Sequence, residues 1–296
     1  MGMSAIDYVV PMVFHDDKLW QEDFKKINET FDVNDYFNFV RFRSWDSEHL
    51  LIKCVKKFMP FVRTIYVLLA RESQKRVWMD EEGVTVVYHK DFIPSEFLPT
   101  FNSCAIEMFL HRIPGISDRF IYGNDDMFPL APLTEENFFR GDIPCQRFGC
   151  KELPKYKNIF HQLCLSEQKF VASEFGIKCD DCLMKGGHGL TPILKKTCEY
   201  LWHRGSKEIM ESVTPMRKGR NFCQWIYPLW HHFAGNYINK PCQTSYVSTD
   251  KDIDVIVSAI RMAKGVLCIN DNEELDDYEK YIDIVKKEIE NKLNRK

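Results

Sequence analysis

Five stretches of this chain carry side chains able to do polar chemistry. Asn124-Asp125-Asp126 directly follows the short apolar run Phe120-Ile121-Tyr122. Two adjacent carboxylates after a buried strand make a hard-oxygen site suited to magnesium or manganese, cations that bridge phosphates. Asn and Asp are also ordinary turn residues, so a solvated turn is the alternative. Gly186-Gly187-His188-Gly189 leads into Thr191-Pro192, which reads as a helix start with Thr191 as N-cap and Pro192 at the first helical position. Free N–H groups there favour an anion, and His188 beside them can contact a phosphate or move a proton; a flexible linker before an ordinary helix fits equally. Arg217-Lys218-Gly219-Arg220-Asn221 offers a bidentate phosphate clamp or a plain basic turn. Asn270-Asp271-Asn272 is a further polar strand end. Cys179-Asp-Asp-Cys182 has zinc-ligand spacing, with Cys145 and Cys150 as partners, against the alternative of plain buried thiols.

These groups need a scaffold, and 296 residues are enough to bury one. Ile6 to Phe14 is apolar and β-branched and reads as a buried strand ending at His15-Asp16-Asp17. Leu50, Leu51, Cys54, Val55 and Phe58 repeat at helical spacing before Pro60. Thr64 to Ala70 and Val84 to Tyr88 read as strands, Phe101 to Arg112 as a helix stopped at Pro114-Gly115, and Phe120 to Tyr122 as a short strand. Glu107 and His111 would share one helical face, a turn apart. A helix from Thr191 to about His203, an aromatic helix carrying Trp225 and Trp230, a strand at Val266 to Ile269 and a final helix within 273–296 complete the expectation. This order predicts one α/β domain over 1–296 with a largely parallel, Rossmann-like sheet flanked by helices. The helical, cysteine-rich stretch 134–187 reads as an insertion or subdomain within it. Ligands in such sheets sit beyond the carboxyl ends of the strands, where Asp16-Asp17 and Asp125-Asp126 both fall.

Composition narrows the function classes. Forty basic and 43 acidic residues give a formal charge of −3, without the basic excess of a protein that grips nucleic-acid backbone. No run approaches the roughly 18 apolar residues of a spanning helix. Met1 to Asp7 has no basic segment followed by an apolar stretch, so no secretory signal is expected. The eleven cysteines then read as reduced thiols in a cytoplasmic protein.

The order of these weak signals is specific. Ile6-Asp-Tyr-Val-Val-Pro-Met-Val with Asp17 and Trp20 resembles the first conserved block of the Stealth family of hexose-1-phosphate transferases. That family includes capsular polysaccharide phosphotransferases and the catalytic core of N-acetylglucosamine-1-phosphotransferase. Arg41-Phe-Arg43, Glu48, Val84 to Asp91, Leu98 to Ser103, Glu107, His111 to Gly115 and Arg119 to Phe128 resemble its second block. His188 with Pro192, then Arg217 and Asn221, resembles the third; Cys268-Ile-Asn270-Asp271-Asn272 resembles the fourth. Two positions depart from the pattern: Phe14-His15 stands where the family has Asp-Gly or Asn-Gly, and Asn221 where some members have Asp.

The resemblance implies a glycosyltransferase-A-like fold and a UDP-sugar donor. It further implies transfer of sugar-1-phosphate to a glycan hydroxyl with release of UMP, in capsular or cell-surface polysaccharide synthesis. Asp125, Asp126 and Asp271 would hold the metal, and Arg217 would stabilise the transferring phosphoryl group. His188 would act as base or phosphate ligand. Asp7, Asp17, Arg41, Asn102, Asn124, Asn221 and Asn270 would line the substrate side. Such an enzyme would work in the cytoplasm, with peripheral association at the inner face of the membrane open to it. A metal-dependent glycosyltransferase using the same donor, or a sugar-binding relative without activity, is the alternative.

Overall fold

The computed structural model describes residues 5–27, 42–179, 181–271 and 278–295. The amino-terminal half runs β1 (Ile6–Pro11), α1 (Lys18–Ile27), α2 (Glu48–Phe58), β2 (Val62–Leu69), β3 (Val84–Tyr88), α3 (Ser103–Glu107), β4 (Arg119–Tyr122) and β5 (Met127–Pro129). Then come the short β6 (Phe139–Arg140) and β7 (Ile143–Pro144), followed by β8 (Phe148–Glu152), α4 (Ile159–Ser173) and β9 (Cys182–Gly186). The remainder is β10 (Thr191–Leu194), α5 (Lys195–Ser212), α6 (Ile226–Phe233), β11 (Thr244–Ser248), α7 (Ile253–Met262), β12 (Val266–Asn270) and α8 (Tyr278–Asn294).

The main sheet has the order β10-β4-β1-β2-β3. Its four inner-numbered strands, β1 to β4, run parallel, and β10 joins β4 antiparallel at the edge. Side chains alternate across the strands, as the pleat requires. Tyr8, Val10, Ile65, Val67 and Leu69 face one apolar layer with α2, α7 and α8. Val9, Tyr66 and Leu68 face another with α5 and α6. Both faces are therefore covered, which explains why these strands are apolar runs rather than alternating ones. A smaller sheet, β11-β12-β5, shares the first of these apolar layers. The chain passes from one sheet to the other through the turn at Asn124 to Asp126.

Three local expectations change. Phe101 to Arg112 is α3 followed by a separate 3₁₀ turn at Leu110–Arg112. The Met108 carbonyl accepts from Trp202 Nε1 at 2.7 Å and from Tyr227 Oη at 3.3 Å, so side chains take the place of the helical ladder. Thr191 and Pro192 open strand β10, not a helix, which begins only at Lys195. Burial of Ile193 and Leu194 against β4 decides this, and an edge strand tolerates the absence of an N–H at Pro192. The expected helix-terminus anion site beside His188 is therefore absent, because no helix starts there. Finally, Cys150 and Cys182 form a disulfide across the β8–β9 ladder, and Cys145 lies apart in a bridge to Ile238. That pairing removes the expected zinc set and corrects the reading of all cysteines as reduced thiols. The other nine are not in disulfides. Among the described residues no helix is long and apolar enough to cross a membrane.

Candidate active site

Where β1, β2, β3 and β4 end, a cavity of about 340 Å³ opens. Met12, Ala70, His89 and Asn124, each just beyond a strand, form part of its wall. It lies at the carboxyl edge of the parallel sheet, where backbone ends diverge and leave room for a ligand. Asp125, Asp126, Asn102, Ser103, Arg217, Asn270 and Asp271 also line it.

The acidic turn is held by close packing. Gly123 N donates to the Val9 carbonyl at 3.0 Å, and Asp126 O accepts from Ile269 N at 2.9 Å, tying the turn to both sheets. A Cβ on Gly123 would stand 2.4 Å from Tyr8 Oη and 2.5 Å from Leu190 Cδ2, so glycine alone fits. Burial raises the Asp125 pKa to about 8, helped by the negative charges of Asp126 and Glu48. Burial also raises Asp126, while His188 and the Cys268 thiol oppose the shift. Asp126 Oδ2 accepts from Cys268 Sγ at 3.2 Å, and its buried Oδ1 has no partner. Two carboxylates crowded together with one oxygen unpartnered fit a hard divalent cation, which would supply the missing charge.

His188 reaches the same turn from the other side, at the entry to β10. Its ring nitrogen, Asp126 and Cys268 Sγ offer ligand atoms within 4.8 Å of one another. Tyr246 packs edge-on against the imidazole, with ring centroids 5.6 Å apart. Burial lowers the His188 pKa against the pull of Asp126, favouring the neutral, proton-accepting form. His188 lies outside the cavity lining, whereas Arg217 lies within it, and its Nη2 donates to Ser103 Oγ at 2.5 Å.

Asp271, expected as a metal ligand, lines the cavity and is held there by two side chains. Arg43 grips both of its oxygens through Nε and Nη2, and Trp45 Nε1 donates to Oδ2 at 2.7 Å. Arg43 in turn stacks on Tyr278, 4.2 Å from its ring centroid. A carboxylate so engaged orients a guanidinium at the cavity wall. Asn102 and Asn221 also serve as struts. Asn102 Oδ1 accepts from Cys104 N at 3.1 Å, and its Nδ2 donates to Thr214 O at 3.0 Å and Asn221 Oδ1 at 3.1 Å. Asn221 Nδ2 donates to the Ser212 carbonyl and to Thr214 Oγ1, which an aspartate in its place could not do. Together they fix the 212–221 segment that carries Arg217.

Two expected substrate residues are elsewhere. Asp7 lies near the amino-terminal end of β1, buried and bound to Arg63 at 3.0 and 2.7 Å and to Ser117 N at 2.7 Å. Asp17 caps the start of α1 through Leu19 N and accepts from Ser73 Oγ at 2.6 Å, outside the cavity lining. Arg41 lies outside the described residues. Asn124 and Asn270 line the cavity. The residues that sequence reasoning left without a role are Cys268, Arg43 and Trp45. Strand alternation offered a signal for Cys268, two residues before Asn270 on the same face. Nothing local could pair Arg43 with Asp271, 228 positions away.

Comparison with known proteins places the chain among phosphotransferases. Residues 41–146 match conserved region 2 of the Stealth proteins. A capsular polysaccharide phosphotransferase of Actinobacillus suis is 32% identical over 255 residues, covering 81% of this chain and 68% of that one. The receptor polysaccharide phosphotransferase WefC of Streptococcus gordonii is 28% identical over 96% of each chain. The chain belongs to the Stealth family of phosphotransferases. Among solved structures, the galactosyltransferase LgtC, crystallised with donor and acceptor sugar analogues, aligns over 95% of both chains with a TM-score of 0.43 and 11% identity.

Proposed function

We propose that this protein moves hexose-1-phosphate from a UDP-sugar to a glycan hydroxyl, releasing UMP, in capsular or cell-surface polysaccharide synthesis in the cytoplasm or at the inner face of the membrane. The observation that carries this reading is one cavity lined by Asp125, Asp126 and Arg217, with His188 set against Asp126. The names of the similar bacterial phosphotransferases support the reaction class. In the reaction the acceptor oxygen bonds to the β-phosphorus, and the bond from that phosphorus to the bridging oxygen breaks. UMP leaves with the bridging oxygen, and a phosphodiester remains.

The residues present suit these demands. Phosphoryl transfer spreads charge over oxygens in the transition state, so fixed positive charge supplies most of the stabilisation. Arg217, braced by Ser103 and by the Asn102–Asn221 struts, presents a guanidinium at the cavity wall. Neutral His188 takes the proton of the acceptor hydroxyl. Asp125 and Asp126 would hold magnesium or manganese, which would offset the charge of the diphosphate. Asp271 holds Arg43 beside Asn270 and so sets the far wall of the donor cavity.

The test is product analysis with a panel of UDP-sugars, magnesium and a glycan acceptor. UMP and a phosphodiester are expected. Release of UDP would instead identify glycosyl transfer, and binding without turnover would identify a sugar-binding protein. Asp126→Ala should abolish turnover while circular dichroism and melting stay close to the parent; full activity would discard the role given to the acidic turn.

A further inference from the structure

We infer that Asp126, His188 and Cys268 form a site for one thiophilic divalent cation of the zinc class. Its selectivity would differ from that of the hard cation in the proposed reaction. The three side chains arrive from separate elements: the turn between β4 and β5, the entry to β10, and β12. Their ligand atoms all lie within 4.8 Å of one another, and among the described residues this is the one such cluster of potential metal ligands. Asp126 Oδ1 is buried with no hydrogen-bond partner, an acceptor that a bound cation would satisfy. Cys268 Sγ already contacts the other oxygen at 3.2 Å.

Ligand chemistry selects the metal. Magnesium prefers six oxygens and keeps its water, which a sulfur and an imidazole serve poorly. Zinc, cobalt(II) and cadmium take mixed sulfur, nitrogen and oxygen sets in four-coordinate geometry. On binding, the Cys268 thiol loses its proton to solvent, Asp126 binds as the carboxylate, and His188 binds through a neutral ring nitrogen. The two anions cancel the 2+ charge of the ion, so the loaded site is neutral, as a buried site requires. Three protein ligands leave the fourth position to water or another oxygen.

The consequence for turnover rests on the proposed function: an ion bound here withdraws Asp126 and His188 from the reaction, so zinc should inhibit even at saturating magnesium. The binding itself does not depend on that reading and is tested without substrate. Titration of the purified protein with cobalt(II) should give a thiolate-to-cobalt charge-transfer band in the near ultraviolet. It should saturate at one ion per chain and be displaced by zinc. Cys268→Ser should lose the band, and His188→Gln should keep it with at least about tenfold weaker binding. No charge-transfer band in the parent protein, or an unchanged band in Cys268→Ser, would overturn the proposal. Turnover with magnesium and a UDP-sugar, measured on the same preparation, reports separately on the proposed reaction.

Discussion

At the scale of single residues, the site combines side chains the fold already holds, such as Arg43, Asn102 and Asp271, with the unpartnered Asp126 Oδ1. Arg217 tests one side of this. Lysine keeps the charge but loses the planar fork, so Arg217→Lys should lower kcat/KM by about a hundredfold in the UMP-release assay with little change in melting. Asn221 tests the other side. Asn221→Asp removes the donor to the Ser212 carbonyl and Thr214 Oγ1 and buries a charge, which should destabilise the fold by about 2–3 kcal/mol in chemical denaturation. The sequence made Asp125, Asp126, His188 and Arg217 visible because each stands beside a turn or strand end. It could not distinguish a carboxylate that awaits a ligand from one already held. Asp7 and Asp271 look alike in the sequence, yet both are gripped by arginines from distant segments. Cooperation between remote residues of this kind leaves no local mark.

At the scale of elements, the parallel strands were readable because burial on both faces makes them continuous apolar runs. The stretch Val84 to Tyr88 matches its strand at both ends. β10 was misread because Thr followed by Pro has the local chemistry of a helix start, whereas packing on β4 decides the outcome. The Cys150–Cys182 pairing was equally hidden, since it depends on β8 and β9 meeting across α4. Gly123 is one of the points at which elements meet closely. Gly123→Ala would place a methyl against Tyr8 and Leu190, forcing β4 and the approach to β10 apart. The expected result is a loss of about 1–3 kcal/mol in stability together with a larger loss in kcat, because His188 moves away from Asp126. A variant as stable and as active as the parent would show that this contact is loose.

At the scale of the whole molecule, burial of neutral imidazoles couples the fold to pH. His89, His111 and His231 sit in different parts of the chain, and burial lowers each to about 4. The unfolded chain takes up protons at these residues near their ordinary value of 6.5, before the folded protein does. Their contribution to stability is therefore complete above that value and is lost as pH falls toward about 4. Buried carboxylates such as Asp125, Glu107 and Glu167, raised by burial, take up protons in the folded state over the same range and oppose this, so the rings are read by difference. In urea unfolding His231→Gln should lose less stability than the parent as pH falls from 6.5 toward 4, and an identical pH slope would contradict the burial of that ring.

The position of His188 is set by the length of its lead into β10. The imidazole hangs from a strand running against its neighbours, only three positions before the first rung, Thr191 opposite Tyr122. Deleting one residue from that short lead would draw the ring back by up to about 3.4 Å. The number of links between His188 and Thr191 thus works like a ruler: substitution can adjust the surroundings of the ring, while any change in length disconnects it from the acidic turn.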